Sequence, residues 1–174
     1  YGVYIDDVED PLLLNNTIQN CTSYGIYLYD SDADDAPVSP EIRGNVINNT
    51  STPIYILATD GYTGSNLITN NTGSGNTNQI IFINSSLVST VRLGATNGFD
   101  WGFSDLTVAN GATWEIGPDE VYKMFGEVTI SVYGTIQTVG TTAAQPAVFT
   151  EVGDNDYGNP VGPTEITPWE GIYI

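Results

Sequence analysis

Short hydrophobic phrases recur along the first half of the chain, and this recurrence restricts the fold more than any other feature. The phrase at Gly2–Ile5 returns at Gly25–Leu28 and at Pro53–Leu57, and Gln79–Ile83 offers a fourth version. If the first residues of the four phrases are equivalent, the steps between them are 23, 28 and 26 residues. Periods in the twenties are typical of solenoids, in which each repeat stacks on the one before.

A second phrase, Asn-x-Ile-x-Asn, runs beside the first and begins at Asn16, Asn45 and Asn66, with steps of 29 and 21 residues. Two short strand phrases in each period leave no room for a helix, so the pattern predicts a β-solenoid. We expect the central isoleucines to point inward. We expect the asparagines to lie at corners, where left-handed backbone geometry and stacked amide hydrogen bonds suit them. Insertions at 30–40 and 61–65 would then explain the uneven steps.

Over residues 1 to about 90, the two phrases together resemble the right-handed parallel β-helix repeats of the pectin-lyase-like superfamily. We therefore predict an all-β, right-handed parallel β-helix of roughly seven to eight coils, with neighbouring strands about 4.8 Å apart. Because no polar cap is recognisable, we expect residues 1–174 to be one continuous segment, uncapped at both ends. It would be a fragment or repeat unit of a longer protein or filament.

The second half has a different texture, which predicts more irregular coils over 91–174, after regular coils over 1–90. Strand-like stretches at 106–118, 128–137 and 146–150 precede an Asp/Gly-rich loop at 151–168. Their order resembles a stretch of large secreted β-helix proteins, although Asp119 stands where those proteins usually have glycine. The last phrase, Glu170–Ile174, repeats the opening phrase, so we expect the chain to start and stop at the same point of the repeat cycle.

The charge balance excludes several functions. The chain has 21 acidic residues against 3 lysines and arginines, a net charge of −18, no histidine and one cysteine. Three cations cannot neutralise a row of phosphates, so nucleic-acid binding is excluded, and an anionic membrane surface would repel the chain. The missing histidine excludes imidazole metal sites and Ser-His-Asp catalysis. Since no apolar run approaches the ~20 residues of a spanning helix, we expect no membrane insertion in this segment.

The strongest candidate metal site is the acidic stretch from Asp30 to Glu41, which has carboxylates at positions 1, 3, 5 and 12 of a calcium-type loop. Strands and prolines around it argue against an EF-hand. The alternatives are a calcium loop of another kind and a solvated acidic corner. The candidate ligands are Asp30, Asp32, Asp34, Asp35 and Glu41, with Asp154 and Asp156 as a weaker pair. No cofactor is required by this interpretation, and Ca²⁺ is the one candidate.

Two further sets of residues are candidates for surface recognition. Alternation with inward aliphatic residues predicts that equivalent tyrosines face outward as a ladder, which suits sugar stacking or a lateral protein contact equally well. Six Asn-x-Ser/Thr sequons are expected at accessible corners. The ladder is Tyr4, Tyr27 and Tyr55; the sequons are at Asn15, Asn20, Asn48, Asn49, Asn70 and Asn84.

The functional prediction follows from the classes of function that the sequence does not exclude. A lyase would need a cationic base, for which the chain offers Arg43, Arg92 and Lys123, and no motif selects a carboxylate pair for hydrolysis. We therefore expect no enzyme but a structural or adhesive segment of an extracellular or cell-surface fibre. Its partners would be copies of itself or adjacent repeats, stacked end to end, and cell-surface carbohydrate. The alternative is a carbohydrate-binding or polysaccharide-degrading module on the same fold.

Overall fold

A computed structural model describes residues 1–31, 36–94, 98–159, 161–162 and 168–174. Every regular element in these ranges is a β-strand. No helix in the described ranges is long and apolar enough to cross a bilayer.

Four sheets form the walls of the molecule, and the largest, the main sheet, has nine strands. The main sheet consists of β1 (Val3–Asp6), β4 (Tyr24–Asp30), β7 (Thr52–Tyr62), β9 (Ile80–Leu87), β11 (Asp100–Val108), β13 (Val121–Met124), β14 (Thr129–Val132), β16 (Val148–Glu151) and β17 (Gly171–Tyr173). The smaller sheets are β2 (Leu12–Leu14), β5 (Glu41–Arg43) and β8 (Ile68–Thr69); β3 (Thr17–Gln19) and β6 (Val46–Asn48); and β10 (Thr90–Arg92), β12 (Thr113–Ile116) and β15 (Thr135–Thr138).

The chain forms a parallel β-solenoid, as predicted, because all pairings between these strands are parallel and each coil lies on the one before. It winds about five turns, fewer than the seven to eight predicted. Up to β11 each layer of the main sheet is a single strand. Beyond it the layers split, since β13 and β14 both pair with β11, and β16 and β17 follow them. Dividing the chain into equal coils therefore overestimated their number.

The core lies between the sheets and is built from columns of aliphatic side chains. Successive residues of a strand point to opposite faces, so every second side chain of the main sheet enters the core. Each isoleucine buried in this way contributes about 1.5–3 kcal/mol. Two fully buried columns run through consecutive layers: Ile26, Ile54 and Ile81, and Leu28, Ile56 and Ile83.

Asparagines shape one corner of the solenoid, as predicted. The buried side chain of Asn45 accepts hydrogen bonds from the backbone and side-chain amides of Asn16, at 2.9 and 3.0 Å. Its own Nδ2 donates to Asn71 Oδ1 at 2.9 Å and to Leu13 O at 3.0 Å. Nearby asparagines adopt positive φ, 60° at Asn20 among them. The amide column therefore ties three successive coils together.

The third Asn-x-Ile-x-Asn phrase, at 66–70, is not equivalent to the first two. Ile68 pairs with Ile42, in the sheet of β2, β5 and β8, whereas Ile18 and Ile47 pair with each other in β3 and β6. Asn71 takes the place that Asn66 was expected to take. Any short strand between two left-handed corners satisfies this phrase, so the phrase alone does not identify the side of the coil.

The fourth hydrophobic phrase is displaced by one residue from its predicted register. Ile81, not Ile80, pairs with Ile54, which places Phe82 beside Tyr55 on the outer face. A slip of one residue exchanges the inner and outer faces of a strand. The run of four apolar residues at 80–83 hides the alternation that would have fixed the register.

The last phrase does not return to the starting point of the coil. β17 pairs with β14, with Ile172 opposite Ile130, and this column continues to Leu106. Val3 belongs to another column, which leads through Ile26 toward Trp101. The expectation that both termini lie at the same point of the cycle is therefore wrong, because a similar local pattern fits either half of the long main-sheet strands.

Candidate functional site: the outer face of the main sheet

The candidate site is a column of side chains on the outer face of the main sheet. Tyr4 pairs with Tyr27, and Tyr27 with Tyr55, so the ladder residues singled out from the sequence share one column. Tyr4 is 49% exposed, whereas Tyr27 and Tyr55 are half-buried. The column continues through Phe82 in the fourth layer. Parallel register therefore places one aromatic ring on each of four successive coils.

Several aromatic rings of this column and its neighbours stack on one another. Tyr55 and Phe82 stack at 4.7 Å between centroids with 13° between their planes, and Tyr1 stacks on Tyr27 at 5.2 Å and 17°. Near-parallel rings this close overlap face to face, in the offset-stacked geometry that aromatic pairs favour. Tyr24 joins from the side, 4.7 Å from Tyr55. The rings therefore present edges and hydroxyl groups, more than faces, to the solvent.

Burial and crowding raise the pKa of the phenols in the cluster. The pKa of Tyr27 is raised to about 12, first by loss of solvent and then by its neighbours, beginning with Tyr55. The pKa of Tyr4 and that of Tyr55 are also raised, mainly by burial. Tyr4 in addition donates its hydroxyl proton to Asp6 Oδ1 at 3.2 Å. These phenols are therefore neutral hydrogen-bond donors at physiological pH.

A spectroscopic titration of the folded protein tests this environment. Because the folded-state pKa of Tyr27 lies above its ordinary value of 10.0, its contribution to stability is complete below pH 10 and is lost as the pH rises through about 12. We expect Tyr27→Phe to remove one phenol from the tyrosinate absorbance step near pH 12, while circular dichroism verifies that the fold persists. In urea that phenol should titrate near pH 10. Loss of a phenol from the step near pH 10 in the folded variant would contradict the assignment.

A strap covers the outer column where the aromatic rings end. The strap is the segment 152–159 together with 161–162, and it returns along the outside of the main sheet. Val152 and Val161 pack on Ile80 and Phe82. The backbone of Gly162 donates to Thr77 O at 2.9 Å. The strap therefore covers the continuation of the aromatic column in the later coils, a role that the sequence did not reveal.

A lysine lies under the strap. Lys123 belongs to the outward column, yet its side chain is fully buried, and its Nζ donates to Asp154 O at 2.9 Å. Burial lowers its pKa, which Asp100 and Asp154 partly restore. Burial likewise raises the pKa of Asp100, whose carboxylate accepts hydrogen bonds from the backbone and side chain of Asn159. Lys123 therefore holds the strap to the sheet and is inaccessible to a substrate.

A second polar group lies inside the solenoid. Glu120, which is 2% exposed, accepts a hydrogen bond from Gly117 N at 2.7 Å and another from the hydroxyl of Tyr122. Its other oxygen lies 3.6 Å from Arg92 Nε. Burial, followed by the charge of Glu120, raises the pKa of Tyr122. The cavity beside this group holds about 50 Å³, enough for a water molecule but too little for a sugar ring.

The predicted metal ligands are only partly described. Asp32, Asp34 and Asp35 lie outside the described residues, Asp30 is buried at the end of β4, and Glu41 forms an ion pair with Arg43. No group of three potential ligands in the described ranges is arranged to hold a metal ion. Calcium binding by the loop that begins at Asp30 stays a prediction.

The weaker pair, Asp154 and Asp156, belongs to the strap. One oxygen of Asp154 accepts a hydrogen bond from the hydroxyl of Thr150, and the other accepts one from Asp156 N at 2.9 Å. These bonds, that to Thr150 first, lower the pKa of Asp154. They also occupy both oxygens of Asp154 in fastening the strap.

The sequon asparagines differ in accessibility. Those exposed at corners with positive φ, as predicted, are Asn15, Asn20, Asn49 and Asn70; those half-buried are Asn48 and Asn84. Asn48 accepts a hydrogen bond from Ser74 N at 2.9 Å, and Asn84 bonds to Tyr55. Glycosylation therefore suits the first group better on grounds of access.

Sequence reasoning missed Asp100, Glu120 and the burial of Lys123. For Lys123 a signal exists, since the lysine interrupts an otherwise apolar strand between Tyr122 and Met124. The two acids carried no such signal, because each has a partner far away along the chain: Asp100 bonds to Asn159, and Glu120 pairs with Arg92 of another coil.

Comparison with protein families agrees with the geometry. The family described as the right-handed beta helix region matches residues 1–105, more than half of the chain. No curated protein and no solved structure matches. The parallel coils, the aliphatic columns and this match confirm the resemblance that the repeated phrases indicated. The chain belongs to the right-handed β-helix family.

Proposed function

We propose that this chain is a structural segment of an extracellular or cell-surface β-helix protein, a stiff acidic rod that associates end to end with further β-helix coils, its own copies among them. The observation that carries the proposal is the covered aromatic column on the outer face of the main sheet. Its aromatic rings cover one another and the strap covers the remainder of the column. Side chains that would otherwise bind a ligand hold neighbouring coils together.

The basic groups also favour a structural role over catalysis. Arg43 pairs with Glu41, Arg92 with Glu120, and Lys123 bonds to the backbone of the strap. A lyase needs a basic side chain that is within hydrogen-bond reach of the substrate and can take its proton in the unprotonated form. Because each of the three basic side chains has a structural partner, a structural role has more support than catalysis.

Carbohydrate binding through the ladder has less support for a geometric reason. A sugar ring stacks on the face of an aromatic side chain. One face of Tyr27 is stacked on Tyr1, and Tyr55 and Phe82 are stacked on each other. Hydroxyl edges remain available for hydrogen bonds, but they lack the apolar platform that holds a saccharide in water.

Association would use the layer formed by β1 and β2. Its inward side chains, Val3, Ile5 and Leu13, are only half-buried, whereas their partners in the next coil are fully buried. Burying an aliphatic side chain fully is worth about 1.5–3 kcal/mol. The net charge of −18 opposes contact between copies, and salt screens that repulsion. We therefore expect association to strengthen with ionic strength.

Charge substitution in this layer tests the proposal. We expect the unaltered chain to form particles that lengthen with protein and salt concentration, followed by sedimentation velocity and electron microscopy. Ile5→Glu with Leu13→Glu should weaken association about tenfold or more, since 1.4 kcal/mol corresponds to tenfold, while circular dichroism verifies that the fold persists. The matched control is Leu12→Glu with Leu14→Glu, which adds the same charge to outward-facing side chains of the same layer, 62% and 40% exposed.

Two outcomes would contradict end-to-end association. One is a chain that sediments as a monomer at every salt concentration. The other is equal loss of association in both double variants, which would show that net charge acts without regard to place.

A further inference from the structure

We propose that the tyrosine cluster is a site of oxidative cross-linking, at which a dityrosine bond joins neighbouring coils. The cluster is defined as Tyr1, Tyr4, Tyr24, Tyr27, Tyr29 and Tyr55. The proposal is independent of end-to-end association, because the bond forms within one chain.

Proximity is the first argument. The centroid of Tyr27 lies 5.5 Å from that of Tyr4 in the coil before and 5.4 Å from that of Tyr55 in the coil after. Tyr24 lies 5.0 Å from Tyr27 and 4.7 Å from Tyr55. The parallel sheet fixes the separations between rings of different coils, because neighbouring strands lie about 4.8 Å apart. Two oxidised rings in this cluster therefore meet without any movement of the backbone.

Access and proton transfer are the second argument. Tyr1 is 61% and Tyr4 49% exposed, so an oxidant in solution reaches both rings. A neutral phenol must release its proton when it loses an electron. The hydroxyl of Tyr4 already donates to the carboxylate of Asp6 at 3.2 Å, which supplies the acceptor for that proton. The remaining rings of the cluster are half-buried beside these two and serve as coupling partners.

The chemistry requires an external two-electron oxidant, hydrogen peroxide acting through a haem peroxidase. Each of two phenols gives up one electron and one proton to form a phenoxyl radical. The radicals join through the ring carbons ortho to oxygen, and each of those carbons passes its hydrogen to the phenol oxygen as the ring regains aromaticity. Peroxide takes up the two electrons and two protons and becomes two molecules of water. The protein loses two hydrogen atoms in total.

Peptide mapping tests the proposal on the dilute chain, where bonds between molecules are disfavoured. Treatment with the peroxidase and limiting peroxide should produce dityrosine fluorescence on the monomer. Cleavage after glutamate then separates the first coils, because Glu9 lies between Tyr4 and Tyr27, and Glu41 lies between Tyr27 and Tyr55. We expect a linked species that joins peptides 1–9 and 10–41 and lacks two hydrogens.

Phenylalanine variants separate proximity from exposure. Tyr1→Phe with Tyr4→Phe keeps the stacked rings but removes both phenols of peptide 1–9, so the linked species should be lost. The control is Tyr133→Phe with Tyr157→Phe, which removes two phenols of 71% and 53% exposure outside the cluster. It should leave the link unchanged. Links between chains only, or intramolecular fluorescence lost in the control pair, would overturn the proposal.

Discussion

Replacement of Asn45 by alanine is expected to lower the free energy of unfolding by about 3 kcal/mol. The side chain is fully buried and accepts two hydrogen bonds from Asn16. It also donates to Leu13 O and to Asn71 Oδ1. Alanine removes every one of these bonds and deprives the amide of Asn16 and the carbonyl of Leu13, both in the coil before, of the Asn45 side chain. Each net bond is worth about 1 kcal/mol, and each buried group left unpaired costs more.

Urea denaturation measures this effect, with Gln19→Ala as the matched control. Gln19 is an amide side chain of the coil before, in β3, but is exposed, and the change there should stay within about 0.5 kcal/mol. Asn71→Ala and the double variant complete a cycle. Because Asn45 and Asn71 share hydrogen bonds, their effects should not add. Equal losses at Gln19 and Asn45, or strict additivity with Asn71, would contradict a cooperative amide column.

The ladder of asparagines illustrates what can be predicted from this sequence. Asparagine tolerates left-handed geometry and carries both a donor and an acceptor, so its recurrence beside inward isoleucines predicts both the corners and the stacked amides. Asn16 and Asn45 could be placed in one column from their spacing alone. Their third partner could not, since Asn71 lies in no phrase that resembles theirs and a better phrase begins at Asn66.

The pairing register of the main-sheet strands could be predicted only where the inward and outward side chains are of different types. Tyr27 and Tyr55 alternate with aliphatic neighbours, and the structure pairs them. At 80–83 all four residues are apolar, so neither face is marked, and the predicted register slips by one residue. Phe82 was consequently missed as the next ring of the column.

The covering of the outer column by the strap could not be predicted from the sequence, for a different reason. The strap has no periodicity, and its contacts are long-range: Val161 packs on strand β9, and Asn159 bonds to Asp100. From sequence alone, a loop rich in Asp, Asn and Gly is interpreted as a solvated insertion, because the strand on which it packs is not known. Only its two valines indicate that the strap packs on another element, and the sequence does not show that this element is the strand of Phe82.

Removal of the buried carboxylate at Glu120 is expected to have the largest effect of any single polar substitution described here, about 3–5 kcal/mol for Glu120→Ala. The change deprives Gly117 N and the Tyr122 hydroxyl of their acceptor. It also leaves the guanidinium of Arg92, which is largely buried, without its carboxylate. An unpaired charge in such a place costs more than the original pair contributed.

Two further variants separate the charge of Glu120 from its hydrogen bonds. Glu120→Gln keeps an acceptor for Gly117 N but no longer neutralises Arg92, so it should destabilise the fold less than alanine does. Arg92→Met combined with Glu120→Gln removes both charges while it preserves the side-chain volume, and it should recover much of the loss, because apolar replacement of buried ion pairs is often neutral. Glu127→Ala is the control, since this carboxylate is exposed, and it should change stability by no more than about 0.5 kcal/mol. If the double variant is no more stable than Glu120→Gln alone, the unpaired charge of Arg92 is not the source of the loss. The effect of Glu120 would then come from its hydrogen bonds to Gly117 N and Tyr122 rather than from its charge.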